Sequence, residues 1–211
     1  MADAAAIARN LARIREEVGP DVEILAATKY VDAADLPALH EAGITLVGEN
    51  RTDALAAKQA AHGDLFTWDF IGHVQSRKVR DIVGRVRLIH AVDSLSACEQ
   101  LERRRDPDAV IDCLLQVNVA SEDTKSGVEP SAVDAFLEAV GPLSGVRFRG
   151  LMTMPPAAAD PEASRPYFRR LRELAERHGL RELSMGTSQD YRIAAEEGAS
   201  LVRVGSILYR E

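Results

Sequence analysis

Residues 182–206 read ELSMGTSQDYRIAAEEGASLVRVGS, and the fold turns on this stretch. Glu182 to Met185 has the composition of a short strand, Tyr191 to Glu197 carries helical spacing, and Leu201 to Val204 is a second strand segment. A strand, a helix and a strand in that order imply a parallel pair joined by a right-handed crossover. The turns after both strands hold small polar residues, Gly186-Thr187-Ser188 and Gly205-Ser206.

The same unit recurs toward the start of the chain. Ala4 to Val18 places Ile7, Leu11 and Ile14 at helical spacing and stops at Gly19-Pro20. Val22 to Ala27 is a strand, followed by a helix over Asp35 to Ala42 that stops at Gly43. Ile44 to Val47 leads to a helix through Leu55, Trp68 to Ile71 to one over Ser76 to Val83, and Leu88 to Val92 to one over Leu95 to Arg104. Val110 to Val119 leads to a helix over Val133 to Val140, and Val146 to Met152 to the amphipathic segment Tyr167 to His178. Together with the two strands of the opening stretch, these predict an α/β fold, a single parallel (β/α)8 TIM-type barrel with an extra N-terminal helix. Residues 1–211 are read as one domain. An open doubly wound sheet has the same order of elements and stays open as the alternative. Pro155 to Pro166, rich in Ala and Pro, reads as the mobile loop.

The bulk numbers bound the function. In 211 residues, 46% hydrophobic and 28% charged, the composition is that of an ordinary globular chain. A formal charge of -7 offers nucleic acid or an anionic membrane no general attraction, so any anion site must be local. Cys98 and Cys113 form no CxxC and have no paired histidines, which argues against a disulfide framework or a zinc site and fits a reducing cytoplasm. Met1 to Asn10 lacks the pattern of a signal peptide, and no apolar run approaches the ~18 to 20 residues of a membrane span.

In such a barrel the chemistry sits where strands end. Those positions hold Thr28-Lys29, Gly48-Glu49-Asn50, Gly72-His73, Asp93, Asn118, Met152, Gly186-Thr187-Ser188 and Arg203-Val204-Gly205-Ser206. Lys29 stands where the first strand ends, after a run that holds Ile24, Leu25, Ala26 and Ala27, so barrel walls are expected to hold its stem; desolvation there favours the neutral amine that attacks an aldehyde. The plainer reading is a lysine that only reaches solvent. Thr187 and Ser188 precede a helix expected to begin near Gln189, with Ser188 as its N-cap, and barrels often seat phosphate on the loops after strands seven and eight. Taken singly, each of these residues also reads as a turn or a cap. A Schiff-base lysine opposite a phosphate cup fits pyridoxal phosphate or an aldolase that acts on a phosphorylated sugar. Arg203 either meets the ring nitrogen of pyridoxal phosphate, leaving it unprotonated, or pairs with a barrel carboxylate such as Glu49.

These residues resemble the pyridoxal phosphate homeostasis protein family from Leu25 to about Tyr209. The resemblance rests on Ala27-Thr28-Lys29, Gly48-Glu49-Asn50, residues 68–78 (WDFIGHVQSRK), Asn118 with Lys125-Ser126-Gly127, Gly150-Leu151-Met152, Ser184 to Ser188, and Arg203 to Ser206. It implies a barrel like the N-terminal domain of alanine racemase, with pyridoxal 5'-phosphate as cofactor and a role in its intracellular homeostasis. It implies Lys29 as the Schiff-base lysine, Asn50 near the ring, Ser188, Gly205 and Ser206 around the phosphate, and Arg203 at the pyridine nitrogen. The cofactor-binding set expected on both grounds is Lys29, Asn50, His73, Met152, Ser184, Gly186, Thr187, Ser188, Arg203, Gly205 and Ser206, with no catalytic residue and no metal ligand. Two positions depart from the family pattern: Asp69 stands where it has a histidine, and Thr187 stands between Gly186 and Ser188 where it has a methionine.

The resemblance also places the racemases' second acid/base group in a C-terminal β domain, which this chain is expected to lack. The expectation is therefore a cofactor carrier without robust catalysis. A weak amino-acid racemase is the alternative, and a cofactor-free aldolase the third reading. His73 is expected to orient the site or a water, Tyr30 to pack, and Lys125 to act at most as a transient acceptor. The expected partners are the cofactor and, as recipients, apoenzymes that depend on it. Neither nucleic acid nor membrane is expected, and the chain is read as a monomer.

Overall fold

A computed structural model describes residues 3–121 and 126–210. Helix α1 (Ala4–Val18) starts at Asp3, whose side chain accepts from the N–H groups of Ala5 and Ala6, and it buries Ile7 and Ile14. The strands are β1 (Glu23–Ala27), β2 (Leu46–Glu49), β3 (Thr67–Phe70), β4 (Ile89–Val92), β5 (Ile111–Gln116), β6 (Val146–Met152), β7 (Glu182–Thr187) and β8 (Leu201–Val204). Between them run α2 (Leu36–Glu41), α3 (Thr52–His62), α4 (Leu95–Arg104), α5 (Val133–Val140), α6 (Arg165–Arg177) and α7 (Tyr191–Glu196).

Every neighbouring strand pair is parallel, and β1 also pairs with β8 through Glu23 to Ala26 against Leu201 to Val204. That pairing closes the barrel and removes the open-sheet alternative.

Two expected elements differ. The helix expected over Ser76 to Val83 is a 3₁₀ segment, Ser76–Asp81, that buries only Val79, too little apolar face to stabilise a full α-helix. Pro155 to Pro166 is not one loop: a 3₁₀ turn over Pro161–Ser164 runs into α6, and Pro166 sits in the first helical turn, where its missing N–H leaves no hydrogen bond unmade.

Outward-facing strand residues such as Val47, Trp68, Phe70 and Val202 join the helices in one large apolar core. The barrel interior is mixed. Leu25, Leu46 and Leu201 form one apolar patch, and Leu88, Ala91, Leu114 and Met152 form another. Between them lie fully buried polar side chains from three different strands, Asp69, His90 and Ser184. No helix among the described residues is long and apolar enough to cross a membrane.

Candidate functional site

A cavity of about 760 Å³ opens at the carboxyl ends of β1, β7 and β8. Of the expected residues, Lys29, Asn50, Thr187, Ser188, Arg203, Gly205 and Ser206 line it. The end of β1 is clamped from below: the Thr28 hydroxyl donates to Gly48 O at 3.2 Å and to Glu49 Oε1 at 2.7 Å, while buried Lys58 donates to Thr28 O at 2.6 Å and pairs with Glu49. This holds the backbone under Lys29 with no constraint on its side chain. The expectation that barrel walls enclose that side chain is corrected: Lys29 is exposed, and its Nζ lies 4.7 Å from the centre of the Tyr30 ring, a cation–π distance. Tyr30 does not pack either; it is 87% exposed at the cavity mouth.

The two phosphate-type loops are tied to each other. Ser188 Oγ accepts from Gly205 N at 3.0 Å and from Ile207 N at 3.5 Å. Ser188 therefore does not cap α7, as had been expected. The helix starts at Tyr191, and Asp190 organises the turn instead, its Oδ1 accepting from Thr187 N at 2.7 Å and Thr187 Oγ1 at 3.1 Å. Gly186 has φ +88°, and a Cβ there would stand 2.5 Å from the Cβ of Ala194, so the turn into the loop requires glycine.

Arg203 is buried, and among the described residues no carboxylate lies within ion-pair distance of it. The expected alternative, a pair with Glu49, is excluded because Glu49 is engaged by Lys58 and Thr28. Four of the five guanidinium N–H groups are spent on the protein: NH1 donates to Ser184 O (2.9 Å) and Ser184 Oγ (2.5 Å), NH2 to Thr153 O (2.9 Å) and Met154 Sδ (2.9 Å). The fifth, on Nε, has no acceptor among the described residues. Since no sealed side-chain polar atom among the described residues lacks a partner, Nε opens onto the cavity that Arg203 lines. Burial brings the guanidinium pKa down to about 10, which leaves it charged at neutral pH.

The remaining expected residues lie elsewhere. Met152 packs in the barrel interior, while Met154, two residues on and beyond the strand end, reaches the cavity. Ser184 is buried beneath Arg203, and neither it nor Gly186 is on the wall. His73 faces Asp93 across the other side of the mouth, Nδ1 to Oδ2 at 3.5 Å, and burial raises the Asp93 carboxyl. Lys125 lies outside the described residues. The sequence reading missed Met154, Gln189 and Tyr209 as lining residues. Tyr209 donates to Ala27 O at 3.4 Å, and only its nearness to the Gly205-Ser206 turn hinted at the site.

The wall therefore offers an amine, a guanidinium donor from the neighbouring strand, and hydroxyl and backbone donors on two adjacent loops. This donor set fits an aldehyde-bearing aromatic phosphate with a ring nitrogen that accepts a hydrogen bond. Comparison with known proteins agrees with that chemistry. The sequence matches the family "Alanine racemase, N-terminal domain" over residues 2–211. It is 40% identical to a pyridoxal phosphate homeostasis protein of Pseudomonas aeruginosa over 213 aligned residues, 96% of this chain and 93% of that one. It is 39% identical to a protein of the same name from Aquifex aeolicus over 197 residues, 90% of this chain and 86% of that one. The structure of PipY from Synechococcus elongatus with PLP bound superposes with a TM-score of 0.87 at 34% identity, over 97% of this chain and 100% of PipY.

Proposed function

This chain belongs to the pyridoxal phosphate homeostasis protein family, and on that premise we propose that it binds pyridoxal 5'-phosphate in the cavity above β1, β7 and β8, held as a Schiff base on Lys29. Residues 1–211 then act as one cofactor-binding domain, a monomeric carrier that takes up, protects and releases the cofactor to apoenzymes inside the cell without robust catalysis of its own.

The observation that carries this reading is a buried guanidinium with one unspent N–H, opening onto the same cavity as Lys29. Lys29 is the one lysine on that wall among the described residues. Its amine would hold the cofactor by condensing with the aldehyde, C=N replacing C=O with loss of one water. Exposure of Lys29 suits a carrier, since water and an incoming amine both reach the bond and reverse it. Thr187, Ser188, Gly205 and Ser206 are the residues to hold the phosphate, with Asn50 beside the ring.

The bound group supplies an aldehyde for amines and a ring able to withdraw electrons. Arg203 restrains the second property: a guanidinium donates but cannot accept, so it leaves the ring nitrogen unprotonated and the ring a weak electron sink. That favours holding the cofactor over consuming amino acids.

Borohydride reduction after incubation with pyridoxal 5'-phosphate, followed by peptide mass analysis, tests the assignment. A pyridoxyl group on Lys29 is expected; one on Lys125 alone, or a protein that stays colourless with the cofactor added, would overturn it.

A further inference from the structure

Among the described residues Arg203 has no carboxylate partner, so something else must fix its orientation. Two of its acceptors are backbone carbonyls, Ser184 O and Thr153 O, and one is the thioether of Met154, a weak acceptor whose residue is 49% exposed. The remaining acceptor is the hydroxyl of Ser184. That hydroxyl ends a buried chain across the barrel: Ser184 Oγ lies 2.9 Å from His90 Nδ1, and His90 Nε2 lies 3.0 Å from Asp69 Oδ2. Arg87 closes the far end, its Nε and NH2 donating to the two Asp69 oxygens at 3.0 and 2.8 Å and its NH1 reaching Glu23 at 3.0 Å.

The donor and acceptor roles along this chain are forced. Asp69 is an acceptor held by Arg87, so the proton of a neutral His90 sits on Nε2 and points at Asp69. His90 Nδ1 is then an acceptor, and the Ser184 hydroxyl must donate to it. The lone pairs of Ser184 Oγ are thereby turned to Arg203. A doubly protonated His90 would instead claim those lone pairs; burial, with the charges of Arg203 and Arg87, opposes that form against the pull of Asp69.

One feature marks the chain as more than core packing. A further cavity, about 330 Å³ at the amino ends of the strands, is lined by Glu23, Arg87 and Ser184, and Arg87 pairs there with Glu23 and Asp69. The polar line thus runs from one mouth of the barrel to the other and stops at Arg203.

We propose that Asp69, His90 and Ser184 are positioning residues for Arg203: a directional hydrogen-bond chain that aims the free Nε–H into the cavity, toward the ring nitrogen of the bound cofactor. This rests on the binding function proposed above. Asp69 and His90 act only through Ser184 and Arg203, so their effect on the cofactor must vanish when the guanidinium is gone.

The test is a double-mutant cycle on Asp69→Asn and Arg203→Gln, read by the visible band of the bound cofactor and by its dissociation constant. Asp69→Asn in the otherwise native protein is expected to shift the band and weaken binding about threefold to tenfold, and to do neither in the Arg203→Gln background. Ser184→Thr, which keeps the hydroxyl, is expected to retain the native band that Ser184→Ala loses. Equal effects of Asp69→Asn in both backgrounds overturn the proposal while leaving the binding function intact. A native protein that takes up no cofactor overturns the binding function and this proposal with it. Should the variants not fold, ¹⁵N NMR of the native apoprotein decides: His90 protonated on Nε2 supports the chain, and His90 protonated on Nδ1 overturns it.

Discussion

Ser188 Oγ sits 3.0 Å from the backbone N of Gly205 and accepts its hydrogen bond, so the loop after β7 is stitched to the loop after β8 by the group expected to face phosphate. The hydroxyl occupies an acceptor place that a phosphate oxygen can also fill, and its own proton is free to be donated.

Ser188→Ala is therefore expected to weaken retention of pyridoxal 5'-phosphate about ten- to hundredfold, the loss of a charge-assisted bond of roughly 1.5 to 3 kcal/mol. Stability of the apoprotein should fall by only about 0.5 to 1.5 kcal/mol per bond, because the neutral hydrogen bonds from Gly205 N and Ile207 N are lost and no helix cap. Fluorescence titration and a denaturant melt check the two numbers; unchanged affinity with a normal melt places the phosphate elsewhere.

Lys29→Ala should abolish the borohydride-trapped adduct and leave the fold as it was, within about 0.5 kcal/mol, since the side chain is exposed and holds nothing in place. Mass spectrometry after reduction, beside a thermal melt, is the measurement. A stable variant that still traps the cofactor rejects Lys29 as the attachment point.

Arg203→Glu replaces a donor to two backbone carbonyls with an acceptor in a buried place. Stability should drop by about 1 to 3 kcal/mol per acceptor left unpaired. The carboxylate favours a protonated ring, so the bound cofactor should show a changed visible spectrum and faster exchange of amino-acid Cα protons in D₂O, with weaker binding from the added negative charge near the phosphate. An unaltered spectrum in a folded, cofactor-loaded variant would separate Arg203 from the ring.

The buried Asp69–His90 pair shapes the acid limb of stability. Burial, with the charges of Arg203 and Arg87, lowers the His90 pKa against the hydrogen bond and charge of Asp69. Burial would raise Asp69, yet the hydrogen bonds and charges of His90 and Arg87 outweigh it and hold the carboxyl below its ordinary range. Where the folded histidine binds its proton less readily than the unfolded one, stability is complete above the unfolded value of about 6.5 and falls below it, by at most about 1.4 kcal/mol per pH unit for this one group. Asp69 contributes above its unfolded value of about 3.9, and its share is lost as pH falls through the lower folded value. Urea midpoints of the apoprotein between pH 7.5 and 5 should thus decline less in His90→Gln than in the native chain; parallel declines would count against the assignment.

Much of the site was legible because strand ends are local features. Lys29, Asn50, Ser188 and Gly205 each follow a short apolar run, and in a closed parallel barrel all such positions meet at one mouth. Two of the misplacements come from a strand end displaced by two residues. Met152 is the last residue of β6 and still faces the interior, so the wall position passes to Met154; β2 runs to Glu49 where the apolar run ended at Val47.

By itself the sequence determined the order of strands and helices, since periodicity, glycine stops and small polar turns are properties of neighbouring residues. Closure through β1 and β8, the exposure of Lys29, the withdrawal of Glu49 into a pair with Lys58, and the chain from Asp69 through His90 and Ser184 to Arg203 were decided by the tertiary structure. These contacts join residues 9 to 180 or so positions apart along the chain. No local pattern encodes them, because the partners of an inward-facing polar group are whatever the barrel's register brings across its axis.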